Sequence, residues 1–405
     1  MTVIELARAG RFTEITDLCA PELRALAGPE TLRAAWASCE PVTAVGEPVT
    51  ERLDDDLVSV TIRMTTGQGE IDVIMAVGTD GNLHGLRFAP VTEPWAAPPY
   101  ADQDSFDERD VSFGGVAGTV SVPRPAGQRG QVPGVVLLGG GGPFDRDGTS
   151  GANKPLKDLA WGLASRGVAA ARFDKLTPGA TVTEEYVPPA VAAVRMLRAE
   201  PGVDPGRVFV LGHSMGGKVA PRVAVAEPDV AGLVIMAGDT QPMHEAAVRV
   251  ARYLVSLDPA MTALAETVAR QAAAVADPAL SSTTPASELL FGWGGEYWLD
   301  LRGYDPVGTA ATVDRPMLIL QGGRDYQVTV EGDLAGWRAG LGHRQDVELR
   351  VHEADDHLFF PGEGPSTPAS YAPPQHVDPA VVEGIAGWLA AVHTPRAGEA
   401  PHPRG

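Results

Sequence analysis

Ser214 is the residue around which chemistry could be built. It sits in Gly212-His-Ser-Met-Gly216, directly after the apolar run Arg207-Val-Phe-Val-Leu211 and before the helix-like stretch Gly217-Lys-Val-Ala-Pro-Arg-Val-Ala224. A serine at a sharp strand-to-helix turn has its hydroxyl lifted above the sheet edge, and the flanking glycines leave room for that turn. The hydroxyl is a poor nucleophile until a base takes its proton, so a histidine and a carboxylate to orient it are required. Both follow in chain order. Asp325 lies in Gly322-Gly-Arg-Asp-Tyr326 just past the strand-like Met317-Leu-Ile-Leu-Gln321. His357 lies in Glu353-Ala-Asp-Asp-His-Leu-Phe359 past Asp346-Val-Glu-Leu-Arg-Val351. His352 belongs to that last strand, and His213 is expected to point away from Ser214. Asp355 and Asp356 are left with minor roles.

Negative charge on a tetrahedral intermediate needs backbone donors already in place. Gly139-Gly-Gly-Gly-Pro143 follows Val135-Val-Leu-Leu138 and can present one, assigned to Gly141 N–H, with Met215 N–H as the second. Asp145 either contacts substrate or stabilises its own loop. Tyr297 and Trp298, close to Trp293, either line an acyl pocket or fill a helical core. The set predicts nucleophilic acyl transfer on a small molecule carrying an acyl group. No metal is implied, because no His/Cys/Asp cluster has ligand spacing. No organic cofactor is implied either: Pro143 and Asp145 stand where a dinucleotide-binding glycine loop would open its helix.

The elements that must position these residues alternate. Val116–Val122, Val135–Leu138, Val168–Phe173, Val208–Leu211, Leu233–Met236 and Met317–Leu320 read as strands, separated by helical stretches such as Pro188–Arg198. That texture predicts an α/β fold with a doubly wound, mostly parallel sheet over residues 105–395. A helical insertion over 243–304, broken at Pro259, Pro278 and Pro285, is expected to form a cap. Ahead of it, residues 1–90 read as a small α+β domain. Leu18, Leu23, Leu26, Leu32 and Trp36 recur at helical spacing, and Val58 to Met75 alternate around the turn Gly67-Gln-Gly69. The proline-rich stretch 91–104 reads as a linker and 396–405 as a tail.

With 405 residues the chain exceeds a single core. A net charge of −20 repels polyanions and excludes nucleic acid as a partner. No run approaches the ~20 apolar residues of a membrane span, and the N-terminus lacks the apolar stretch and cleavage site of a signal peptide. The chain is therefore expected to be cytoplasmic, away from membranes, with Cys19 and Cys39 as free thiols.

Several motifs together resemble a bacterial group of α/β-hydrolases related to dienelactone hydrolases and serine aminopeptidase-type hydrolases. They are Gly139-Gly-Gly-Gly-Pro-Phe-Asp-Arg-Asp-Gly148, Asn153-Lys-Pro155, Asp158–Gly167, Gly212-His-Ser-Met-Gly-Gly217, Asp356-His-Leu-Phe359, Ser366-Thr-Pro368 and His376-Val377. Similar proteins begin the first loop with His-Gly and carry Tyr-Asp-Lys-Arg where this chain has Phe173-Asp-Lys-Leu176. The resemblance implies carboxylic ester hydrolysis through an acyl-enzyme. It also implies a nuclear-transport-factor-like N-terminal domain, for which ligand binding or homodimerisation fits as well as any chemistry. Two other readings stand beside hydrolysis. One is a biosynthetic tailoring enzyme that uses the same triad for acyl transfer, cyclisation or elimination, and the other is a non-catalytic ligand-binding homologue.

Overall fold

The computed structural model describes residues 3–26, 28–52, 57–67, 69–91, 94–124, 130–175 and 179–392. The chain divides into two units, Met1–Pro94 and Trp95–Gly405. In the first, four short helices, α1 (Val3–Arg8), α2 (Phe12–Asp17), α3 (Pro21–Leu26) and α4 (Pro29–Ala37), precede five strands. These are β1 (Val42–Val45), β2 (Val49–Arg52), β3 (Leu57–Thr66), β4 (Gly69–Gly78) and β5 (Leu83–Pro90). The sheet is antiparallel in the order β1-β3-β4-β5, with β2 also paired to β3. Its alternation buries Ile62, Met64, Val73 and Met75 against Ile4, Phe12, Ile15, Leu32 and Trp36. Leu18, expected on that face, is exposed. The side chain of Leu26 and the turn residue Gln68 lie outside the described residues. Cys19 and Cys39 are buried free thiols.

The second unit holds eight strands in the order β13-β12-β11-β10-β8-β9-β7-β6. They are β6 (Phe106–Phe113), β7 (Val116–Pro123), β8 (Val132–Leu138), β9 (Ala169–Phe173), β10 (Val203–His213), β11 (Leu233–Met236), β12 (Met317–Gly322) and β13 (Val347–His352). From β13 to β9 every pairing is parallel, so β8, β10, β11, β12 and β13 end on one edge. Among the helices, α5 (Pro155–Ala164), α6 (Val182–Ala199) and α7 (Met215–Ala226) alternate with these strands. The insertion holds α8 (Met243–Leu257), α9 (Thr262–Ala276) and α10 (Gly295–Arg302). After it come α11 (Pro306–Ala311), α12 (Ala335–Leu341) and α13 (Pro379–Ala391).

Why the strands read as continuous apolar runs is visible in β10. Val208 and Val210 enter the core that α6 and α7 cover, whereas Phe209 and Leu211 enter the opposite one with α5 and α13. Both faces are buried, as a parallel sheet requires.

Three boundaries differ from the sequence reading. The edge strand β6 was not expected, because Asp107-Glu-Arg-Asp110 masks its alternation with charges that suit an exposed edge. Helix α6 starts six residues before Pro188, at Val182, where Thr181 accepts the Glu184 N–H at 3.1 Å; Pro188 and Pro189 lie inside it. The stretch expected as a linker is only partly one. Trp95 donates its indole N–H to buried Asp158 at 2.9 Å and meets Trp161 edge-on at 5.0 Å between ring centres, which anchors this segment to its own unit. Thr92, Glu93, Leu176 and the tail 396–405 lie outside the described residues. Among those described, no helix is long and apolar enough to cross a membrane.

The turn after β10 explains its glycines. A Cβ on Gly212 would stand 2.1 Å from Gly216 O, and one on Gly216 would stand 2.5 Å from Leu138 O. Neither obstacle is a flexible side chain. Gly212→Ala is therefore expected to lower stability by about 3 kcal/mol, read as a lower urea midpoint at unchanged slope.

Candidate active site

The residues singled out from three distant stretches come to one sheet edge because the strands that carry them are parallel and adjoining. Ser214 follows β10 with φ 55° and ψ −121°, a conformation that non-glycine residues adopt only when the surroundings enforce it. Here its N–H donates to Met236 O at 2.9 Å, and Lys218 N–H donates to its carbonyl at 3.0 Å. Asp325 follows β12 and is held as an acceptor. Its Oδ1 takes the N–H groups of Gln327 at 2.7 Å and Val328 at 3.0 Å, and its Oδ2 takes the amide of buried Gln321 at 3.1 Å. The same Oδ2 lies 2.7 Å from Nδ1 of His357, which follows β13. An ionised carboxylate at that atom requires the proton on Nδ1 and leaves Nε2 as the basic nitrogen. Burial opposes a positive charge on His357, but the Asp325 carboxylate and its hydrogen bond, with Asp356 and Asp239 behind, outweigh it and hold the imidazole above its ordinary pKa.

His213 does not point away, contrary to the expectation from the turn. It is buried, its ring centre lies 4.8 Å from that of His357, and its Nε2–H donates to His357 O at 2.7 Å. Burial, and then the neighbouring imidazole, push its pKa down to about 4, so it stays neutral and serves as a fixed strut. Adjacent position in the chain had suggested opposite directions; the missing information was that the His357 loop folds back over β10.

Two cavities meet at Ser214 and His357. The larger, about 280 Å³, runs between α8 and α9 with Met243, Val250, Leu254, Met261, Leu264 and Val268 among its walls. The smaller, about 230 Å³, is more polar and is bounded by Gly140, Gly141, Phe144, Ser150, His213 and Tyr371. Gln327 borders both.

The glycine loop is fastened from behind. Tyr186 OH donates to Gly140 O at 2.7 Å, and Lys175 Nζ donates to Gly142 O while pairing with Glu185 at 2.7 Å. Gly140 is the glycine beside the serine: a Cβ there would lie 3.5 Å from Ser214 Cβ. One on Gly141 would lie 3.6 Å from Met215 Cβ and 3.4 Å from Trp293. Met215 opens α7, whose positive N-terminal end faces the same place.

A family described as the PGAP1-like alpha/beta domain matches residues 177–283. Esterase EstD of Thermotoga maritima is 32% identical over 391 residues, covering 93% of this chain and 91% of its own. The chain belongs to the EstD esterase family, with the α/β-hydrolase fold. Among solved structures, an esterase of Pyrococcus furiosus is similar at 17% identity and a TM-score of 0.46, over 75% of this chain and 95% of that one. Est1E from Butyrivibrio proteoclasticus is similar at 14% identity and 0.45, over 70% and 97%.

In this EstD-family chain the weaker candidates lie apart from the cavities. Asp145 is spent on its own turn, accepting from Thr149 N–H at 2.9 Å and Thr149 OH at 2.6 Å, which favours loop stability over substrate contact. Its neighbours act likewise: Arg146 pairs with Asp174, and Asp147 with buried Arg172 and with Lys154. Tyr297 and Trp298 are buried core at 2% and 1% exposure. The aromatic of this stretch that lines the larger cavity is Phe291, seven residues before Trp298.

Asp355, two residues before His357, is fully buried; Asp378 lies against it, and His352 Nδ1 stands 3.8 Å from its Oδ2. Burial and that second carboxylate raise its pKa to about 8. A carboxyl raised in the folded state contributes stability fully present below its unfolded pKa of ~4 and lost as pH climbs to about 8. Asparagine imitates the protonated acid without titrating. Asp355→Asn is therefore expected to match the wild type near pH 4 and to exceed it by about 1–3 kcal/mol at pH 9, measured by urea unfolding at both values.

Proposed function

We propose that the protein hydrolyses carboxylic esters through an acyl-enzyme on Ser214. His357 Nε2 takes the hydroxyl proton as Ser214 Oγ attacks the ester carbonyl, Asp325 stabilises the imidazolium, and the proton then passes to the leaving alcohol. N–H groups of Met215 and of the glycine loop, with Gly141 the assigned residue, stabilise the oxyanion. Water, activated by the same imidazole, releases the acid. The observation that carries this reading is the 2.7 Å pairing of His357 Nδ1 with a fully satisfied Asp325, at cavities that Ser214 also lines. The esterase name of the Thermotoga maritima relative supports the choice of ester over other acyl compounds.

The larger, apolar cavity suits the acyl chain and the smaller, polar one the alcohol. Hydrolysis rather than transfer or cyclisation is tested with a 4-nitrophenyl ester in ¹⁸O-labelled water. One labelled oxygen per free acid released is the expected outcome. Consumption of the ester without label in the product would instead make another hydroxyl the acceptor.

A further inference from the structure

The larger cavity contains a group that the triad leaves unused. Its described walls are mostly apolar side chains of α8 and α9, several of them alanines, which leave room, with Met261, Phe291 and Val328 beside them; Ser214, His357 and Gln327 are the polar side chains at the end nearest the serine. Asp239, three residues past β11, is the one carboxylate among them. It is 4% exposed. Its Oδ2 is paired with Lys218 Nζ at 2.6 Å, and Lys218, equally buried, also donates to Gln241 O at 3.2 Å. Its Oδ1 is buried and has no hydrogen-bond partner among the described residues. A buried acceptor left unpaired costs free energy that a donor brought in by a ligand recovers.

The surroundings limit what that ligand group is. Lys218 already balances the carboxylate charge, so an ammonium group gains little there over a neutral donor, while a hydroxyl needs only an acceptor. Apart from Ser214, His357 and Gln327 the remaining walls are apolar and suit an alkyl chain. A cavity of ~150 Å³ lined by aliphatic residues takes benzene, so about 280 Å³ accommodates a chain of roughly ten carbons.

Resting on the serine-hydrolase reading above, we propose that the acyl group this enzyme accepts is a medium-length alkyl chain with a hydroxyl close to the carbonyl, donated to Asp239. Asp239 is then a substrate-specificity residue, separate from the hydrolytic relay of Ser214, His357 and Asp325. The sequence offered a sign of it, because Asp239 follows an apolar strand at the carboxyl edge just as Asp325 does.

The test compares kcat/KM for 4-nitrophenyl esters of decanoic, 2-hydroxydecanoic and 3-hydroxydecanoic acid. The wild type is expected to favour one of the hydroxylated esters over the plain one by at least about tenfold, the scale of a hydrogen bond to a charged group. Removing Asp239 alone would strand a buried lysine, so the variant is Asp239→Leu with Lys218→Met, an apolar replacement of the whole pair. It should lose the preference for the hydroxylated ester, read as the ratio of kcat/KM between the hydroxylated and plain esters at a pH where His357 is neutral in both proteins, because loss of the Asp239 charge near His357 alters the basal rate for both esters alike. Asp239→Asn, which keeps an oxygen acceptor, should retain part of it. A wild type that treats the three esters alike, or a preference that survives in the double variant, would overturn the proposal. Decanoyl ester hydrolysis that persists in either case leaves the role of Ser214 standing, whereas its absence from the wild type would count against that role itself.

Discussion

Ser214→Ala is expected to lower kcat by at least about 10³-fold with little change in KM or in unfolding midpoint. The hydroxyl is the only atom removed, and the backbone that carries it is fixed by its N–H on Met236 O and by Gly212 and Gly216, none of which the substitution touches. The cavities that hold substrate keep their shape. A fall of less than tenfold, measured with the same ester across the linear range, would mean that water attacks directly and that Ser214 is a bystander.

Asp325→Asn has the second large effect, about 10⁴-fold in kcat, for a reason that can be followed atom by atom. The N–H groups of Gln327 and Val328 hold the amide oxygen at the Oδ1 position. The amide nitrogen then occupies the Oδ2 position, where it meets another donor, Gln321 Nε2, and turns its hydrogens on His357 Nδ1. Nδ1 must accept, the ring proton moves to Nε2, and the base can no longer take the serine proton. The pH profile reports the same change. His357 works as a base only when neutral, so kcat/KM falls as pH drops through its pKa, and in the wild type that acid limb lies above the ordinary ~6.5. Without the Asp325 charge, burial acts less opposed and the limb of the residual activity moves to lower pH. An unmoved limb would show that Asp325 does not set the charge state of the base.

The strands were legible in the sequence because a parallel sheet covered on both faces leaves long apolar runs, as in Val208–Leu211 and Leu233–Met236. The places of Ser214 and Asp325 followed from each lying just past such a run, whereas the strand ahead of His357, Val347–His352, is charged and only partly buried and is legible by its alternation instead. Legibility failed where position depends on how a loop folds back. His213 lies against His357 only because the loop after β13 closes over β10, and nothing in Gly-His-Ser reports that. Asp145 looked available because charge alone does not show that Thr149 occupies both its oxygens. In the insertion, aromatic side chains drew the eye to Tyr297 and Trp298, whereas smaller residues of α8 and α9 shape the cavity, and small residues carry no pattern of their own. The charged edge strand β6 and the prolines inside α6 hid local elements for the same reason: each is stabilised by packing the local pattern does not display.

Ester hydrolysis by this chain depends on Ser214 being an activated nucleophile, and a fluorophosphonate probe examines that directly. Intact-protein mass spectrometry of the native chain should show one adduct, with peptide mapping placing it on Ser214, abolished in Ser214→Ala and much slowed in Asp325→Asn. No adduct on the folded wild type, or one on a different residue, would contradict the account.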